Sequence, residues 1–267
     1  MYLASCFADE ISPDLKVQIE VMQKCGLKYL CLRGVWDINV LSFTDAQVSE
    51  IKKALDDSGI AVSTLGSPIG KTDLDTDGGV YLDQCKRAAE ICEAFDCKTI
   101  RMFSFYFNRE DGRARFGEIT ERMHKMLEIV KPYGIKMLHE NERAIYGESG
   151  KNCLKLIQEV NDPYLRAIHD PANYVIEGEE PHECLLLLKD YIDEFHIKDY
   201  NIAEKAIVPA GEGDGRILEA LEYMKGKDMF LTLEPHLAQG GQFRGFTGAE
   251  RFIEAYNALK KLIDQVQ

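Results

Sequence analysis

Four short stretches of this chain place an acid or a histidine where an apolar run ends. They are Lys136-Met137-Leu138-His139-Glu140, Leu165-Arg166-Ala167-Ile168-His169-Asp170, Ile192-Asp193-Glu194-Phe195-His196 and Phe230-Leu231-Thr232-Leu233-Glu234. Glu140, Asp170, His196 and Glu234 form a mixed oxygen and nitrogen ligand set that suits Mn2+, Mg2+, Zn2+ or Co2+. They meet at one divalent ion only if the four stretches are parallel strands lying side by side. The C-terminal mouth of a (β/α)8 barrel meets that condition, and active sites of such barrels sit there. The expected chemistry is metal-assisted and acts on an oxygen-rich substrate.

Side chains alternate faces along a strand, which separates the candidates from their neighbours. An inward Glu140 brings Leu138 inward and turns Met137 and His139 toward the helices. An inward Asp170 turns His169 outward. An inward His196 brings Glu194 and Lys198 to the same face, and Thr232 lies inward beneath Glu234. A single acid at a strand end is more often a helix cap or a surface group. Four on the successive strands five to eight are hard to assign to chance.

The elements that must position these residues are legible as a repeat. Gly26, Gly59 and Gly134 each stop a helical pattern and precede a hydrophobic strand, as expected of a left-handed residue after a helix. The strands expected are 3–6, 29–32, 61–65, 99–103, 136–140, 165–170, 192–198 and 229–234. Helices are expected over 15–24, 45–57, 81–95, 118–131, 151–160, 183–189, 217–224 and 249–266, with Thr44 or Asp45 capping the second. Strand alternating with helix implies a parallel sheet. Eight units ending in a helix favour a closed (β/α)8 TIM barrel over an open doubly wound sheet. The 267 residues match one such barrel, and no linker divides residues 1–267.

Composition narrows the partners. Hydrophobic residues make up 45% and charged residues 29%, enough apolar material for one sizeable core. A net charge of −13 disfavours a nucleic-acid partner, which needs a basic face. No apolar run approaches the roughly 18–20 residues of a membrane span, and the N-terminus does not read as a signal peptide. Eight singly placed cysteines, with no CxxC pair, read as reduced core filler in a cytoplasmic protein. Oligomeric state is left open, and a homo-oligomer fits the reading.

The stretches His139-Glu140-Asn141, His169-Asp170-Pro171-Ala172-Asn173, His196-Ile197-Lys198-Asp199 and Leu233-Glu234-Pro235-His236 resemble signatures of a known group. It is the xylose isomerase-like sugar phosphate isomerase/epimerase superfamily. That group includes hydroxypyruvate isomerase, tagatose 3-epimerase, inosose dehydratase and the endonuclease IV enzymes. Ser67-Pro68-Ile69-Gly70-Lys71 and Pro209-Ala210-Gly211-Glu212-Gly213-Asp214 are similar to one bacterial sugar-isomerase branch. The resemblance spans nearly the whole chain and implies that Glu140, Asp170, His196 and Glu234 hold one divalent metal ion. It also implies that Glu140 and Glu234 act as acid and base. Two departures stand out: Asn173 occupies a position where relatives commonly have His, and Cys31-Leu32-Arg33 stands where Glu-Leu-Arg is frequent.

Around this set, Lys198, Lys71, Arg244, Trp36, Asn173 and His236 are candidates for substrate contacts. Lys198 shares the face of His196, and Arg244 follows strand eight, where barrels often hold phosphate. Trp36 has the flat face to stack on a sugar, although packing is its commoner role. His124 and His182 fall in helical patterns and read as surface residues. Gly211–Gly215 reads as a flexible lid and lacks the spacing of a phosphate loop. The leading function is aldose–ketose isomerisation or ketose epimerisation of a small keto sugar or sugar phosphate, through an enediolate. The rivals are a dehydratase of a keto-inositol or related polyol, an endonuclease IV-like phosphodiesterase and a non-catalytic sugar-binding barrel.

Overall fold

The computed structural model describes residues 1–75, 78–108, 111–238 and 246–266. Among them, eight strands form one parallel sheet: β1 (Tyr2–Cys6), β2 (Tyr29–Leu32), β3 (Ala61–Leu65), β4 (Thr99–Met102), β5 (Lys136–Glu140), β6 (Leu165–His169), β7 (Ile192–Ile197) and β8 (Met229–Leu233). The ladder runs β1-β8-β7-β6-β5-β4-β3-β2, and β1 packs beside β2, so the sheet closes into a barrel. The helices are α1 (Leu15–Cys25), α2 (Asp45–Asp57), α3 (Val80–Phe95), α4 (Gly112–Val130), α5 (Gly150–Val160), α6 (Pro171–Ile176), α7 (Pro181–Leu188), α8 (Ile217–Tyr223) and α9 (Ala249–Val266). The expected single (β/α)8 barrel is the fold observed.

Gly26, Gly59 and Gly134 take φ values of 72°, 66° and 67°, the left-handed conformation that ends each helix before its strand. Thr44 caps α2 in a capping box with Gln47. Helix α4 starts six residues before the expected position, because Gly112 to Gly117 carries no apolar period to announce it. The short α6 was not expected. Asp170 is its N-cap and Pro171 its first residue, so the helix follows directly from a strand end that was read only for its acid.

The apolar core is the shell between strands and helices. Outward Leu231, Leu233, Phe195, Ile197 and Met137 lie in it, with Phe252 and Leu259 of α9 and Leu156 of α5. Many of the inward positions are polar: Thr64, Arg101, Glu194, His196 and Thr232 are buried inside the ring. Two short hairpins, Gly34–Val35 with Ile38–Asn39 and Asp199–Asn201 with Ala206–Val208, rise beyond β2 and β7. They were invisible to pattern reading because two or three residues carry no periodicity.

Candidate metal centre

Parallel pairing brings β5, β6, β7 and β8 side by side in that order, so their C-terminal ends share one edge of the barrel. Glu140, Asp170, His196 and Glu234 converge there, and one ligand atom from each lies within 4.8 Å of all the others. Ligands on opposite sides of one ion at about 2.0–2.6 Å would be separated by about 4–5 Å. All four residues are buried, at 3% exposure or less. His196 Nδ1 lies 2.9 Å from Glu140 Oε1 and 3.5 Å from Glu234 Oε2.

Positive charge is drawn to this point from several sides. Lys198 Nζ is 2.7 Å from Asp170 Oδ2 and 3.5 Å from Glu234 Oε2. Arg101 Nη1 donates to Glu140 Oε2 at 3.1 Å, and Arg33 Nη1 donates to Glu234 Oε1 at 2.9 Å. Phe7 lies beneath both guanidinium groups, at 4.4 Å from Arg33 and 4.9 Å from Arg101. Its ring also meets His196 edge to face at 5.1 Å.

These contacts set the ionisation. Burial works against the charged form of Glu140, but His196 and Arg101 overcome it and hold the carboxyl at about 2. Burial likewise opposes ionisation of Glu234, yet Lys198, His236 and His196 bring it well below the usual carboxylate range. Asp170 goes the other way, to about 7, because burial outweighs Lys198 and because Glu140 and Glu234 repel its charge. Burial opposes protonation of His196, and the surrounding carboxylates reverse that and raise it well above its ordinary value. Glu140 and Glu234 are thereby held in the ionised form, the form a cation would meet.

The strand ends are locked from behind. Asn141 Nδ2 donates to Asp170 O and Asp170 N donates to Asn141 Oδ1, both at 2.9 Å. Asn173 N donates to Asp170 Oδ1, and Asn173 Nδ2 donates to Asn141 O. Asp170 therefore spends one oxygen on the cap of α6 and keeps the other for the cluster. These bonds tie the C-terminal ends of β5 and β6 to each other and to the start of α6.

The remaining candidates divide. Lys198 is at the cluster, as is His236, whose Nε2 lies 3.2 Å from Glu10 Oε1 and 3.5 Å from Glu234 Oε1. Burial takes His236 down to about 3, with Lys198 and Arg33 adding to the effect. Asn173 sits one layer behind, with its amide used as above. Lys71 reaches the rim, where Nζ pairs with Glu142 Oε2 at 2.6 Å over the Phe103 ring. Arg244 lies outside the described residues. Trp36 is a correction. The turn at Trp36 and Asp37, with φ of 56° and 59°, brings it to an outer groove of about 460 Å3 lined by Leu15, Ile19 and Ala54 of α1 and α2.

The glycine segment after β7 is also a correction. Gly211 N, Gly213 N and Gly215 N donate to the Asp199 carboxylate at 2.8, 3.1 and 2.9 Å. A Cβ on Gly213 or Gly215 would lie 2.5 or 2.7 Å from Asp199 Oδ1, so these glycines are required by the close approach. The segment is a cradle closed on a buried carboxylate, where a free lid was expected.

Sequence reasoning missed Arg101, Glu10 and Asp9, and it noted Arg33 only as part of an altered motif. Asp9 Oδ2 accepts from Arg33 Nε at 2.7 Å. Glu10, raised to about 8 by burial, accepts from His236 N and Thr247 Oγ1. A signal existed: Arg101 alternates with Ile100 and Met102 in a strand, which places a guanidinium inside the barrel.

A family model described as xylose isomerase-like TIM barrel matches residues 19–262. The chain belongs to the xylose isomerase-like TIM barrel family. A comparison with curated proteins finds no match. Among solved structures, the chain is similar to a probable 3-DHS dehydratase of petrobactin synthesis from Bacillus anthracis, with a TM-score of 0.78, 17% identity and coverage of 97% and 99% of the two chains. It is also similar to D-allulose 3-epimerase from Methylomonas sp. in complex with D-allulose, with a TM-score of 0.76, 16% identity and coverage of 100% and 97%. A third is a family member from Mycobacterium smegmatis in complex with magnesium, with a TM-score of 0.71, 15% identity and coverage of 98% and 97%. At such identities the likeness is one of fold.

Proposed function

We propose that this family member is a divalent-metal-dependent isomerase or epimerase of a small keto sugar or sugar phosphate, with Glu140 and Glu234 as its acid/base pair. The observation that carries the reading is the facing arrangement of these two carboxylates. They come from β5 and β8, flank His196 Nδ1 and are each fixed by a separate guanidinium. Glu140, Asp170, His196 and Glu234 fit a divalent ion in donor type and spacing. When bound, such an ion supplies a Lewis acid that acidifies a C–H beside a carbonyl.

The chain's own residues then divide the remaining work. One glutamate takes the carbon-bound proton and the other returns a proton at a new position. Arg101 and Arg33 orient the two carboxylates, and the cations around them keep both ionised. That weakens them as bases, so the acidifying effect on the substrate must compensate. Lys198 is placed to meet a substrate oxygen once its contact with Asp170 loosens. A second acidic group, Glu10 with Glu234 and His236, already has Arg33 Nη2 3.6 Å from Glu10 Oε1. Its positive charge is supplied by the protein, which favours one ion over the clusters that phosphodiester hydrolysis by endonuclease IV relatives would need.

A panel of ketoses and inososes incubated with Mn2+-loaded protein in D2O, with products resolved by NMR, tests the reading. Deuterium uptake at a carbon next to a carbonyl, without loss of water, is the expected result. Loss of water selects the dehydratase instead, and no exchange with any member of the panel rejects both. Glu234→Gln at saturating metal should lower turnover by about 10²–10⁴-fold, the usual contribution of a general acid or base.

A further inference from the structure

Glu194 lies one layer below the ligands and is claimed by none of the chemistry above. It is 1% exposed and shares the inward face of β7 with His196 and Lys198. Thr64 Oγ1 donates to its Oε2 at 2.6 Å, and Thr232 Oγ1 donates to its Oε1 at 2.5 Å. Hydroxyls from β3 and β8 therefore fix both oxygens. Among the described residues no lysine or arginine pairs with this carboxylate, and the one base that does is His196, with Nε2 3.7 Å from Oε1. With both oxygens fixed by hydroxyls, the carboxylate is held in one orientation beneath the imidazole.

The imidazole has the complementary need. Nδ1 faces the ligand cluster, so Nε2 faces down into the barrel, where it has no hydrogen-bond partner among the described residues. A buried N–H left unmet costs about 1–3 kcal/mol. The gap of 3.7 Å exceeds a charge-assisted N–H to carboxylate bond by about 0.8–1.0 Å, a distance a small ring tilt closes.

We infer that Glu194 is a positioning residue. It accepts the Nε2–H of His196, which fixes the neutral tautomer and leaves the Nδ1 lone pair aimed at the metal seat. This rests on the metal reading above. Metal-ligating histidines generally hand their other N–H to such a partner, and loss of the partner typically weakens metal binding about 10–100-fold.

The test is calorimetric titration of the metal-stripped full chain with Mn2+, comparing wild type with Glu194→Gln. The expected result is about 10–100-fold weaker binding in the variant. Its metal-free form should still unfold in a single cooperative transition, which shows that the variant folds. Unchanged Mn2+ affinity with a lowered midpoint assigns Glu194 to the fold alone and overturns the inference while the metal reading stands. Absence of Mn2+ binding by the wild type sinks the metal reading itself and the inference with it. Should Glu194→Gln not fold, nitrogen-detected NMR of the Zn2+-loaded wild type decides. A proton on His196 Nε2 supports the inference, and a proton on Nδ1 overturns it.

Discussion

His139 and Glu140 are neighbours in one strand, and so are His169 and Asp170, yet each pair is split between two chemistries. The inner member of each pair belongs to a crowded field of charge. The outer member is a buried neutral imidazole. Burial holds His139 at about 4 and His169, with help from His182, at about 3. His169 lies against Tyr174 and Phe195, with ring centroids 5.3 and 5.0 Å away, and neither of its nitrogens has a hydrogen bond among the described residues. His196 is buried as deeply and is pushed the opposite way by its carboxylates. Residue type and depth are the same. Strand parity decides whether the ring meets apolar packing or three acids, and therefore what it can do.

The comparison breaks most visibly on the inner face. Lys198→Met removes the ammonium beside Asp170 and leaves a buried carboxylate unpaired. Denaturant unfolding of the metal-free variant should show a loss of about 3–5 kcal/mol, and saturating Mn2+ should restore much of it. Equal stability of variant and wild type without metal would mean that Lys198 does not neutralise the cluster.

The outer face should respond to shape. A Cβ on Gly147 would lie 2.2 Å from His139 Cε1 and 3.2 Å from Ser104 Oγ, whose hydroxyl meets His139 Nε2. Gly147→Ala should therefore cost about 1–3 kcal/mol by overpacking, read as a lower thermal midpoint. Mn2+ affinity should change little. A drop in affinity comparable to that of a ligand variant would show that the two faces are coupled.

A smaller effect concerns pH. The folded value of His169, about 3, lies below its ordinary 6.5, so at pH 3–6.5 the unfolded chain binds a proton that the native state refuses. Stability from this group is full above pH 6.5 and falls as pH drops. His169→Phe removes that dependence. Between pH 7 and 5.5 the variant should lose about 1 kcal/mol less than wild type in denaturant unfolding. Parallel pH profiles would mean that His169 titrates normally in the native state.

Much of this was legible beforehand for identifiable reasons. Helix, glycine and strand recur with strong periodicity, so strands 29–32, 61–65 and 136–140 were bounded correctly and their parity followed. The four strand-end candidates were readable because an acid or imidazole closing an apolar strand is locally conspicuous. The guanidinium groups of Arg33 and Arg101 were not, since their partners are distant in sequence: strand pairing brings β4 beside Glu140, and barrel closure brings Arg33, after β2, to Glu234. Asp199 illustrates the same limit. Its carboxylate fills a loop 12 to 16 residues later, a contact no local pattern encodes. Trp36 takes the packing role, and the two-residue turn that sets its direction carries no local pattern.

The central claim is that the inner face of the mouth is a divalent metal centre. Elemental analysis of protein purified from metal-supplemented medium and then dialysed tests it most directly, with wild type set beside His196→Ala. The account predicts a near-stoichiometric divalent ion in the wild type and a large loss in the variant, with both chains folded. Equal metal content in the two proteins, or none in the wild type after supplementation, would contradict it.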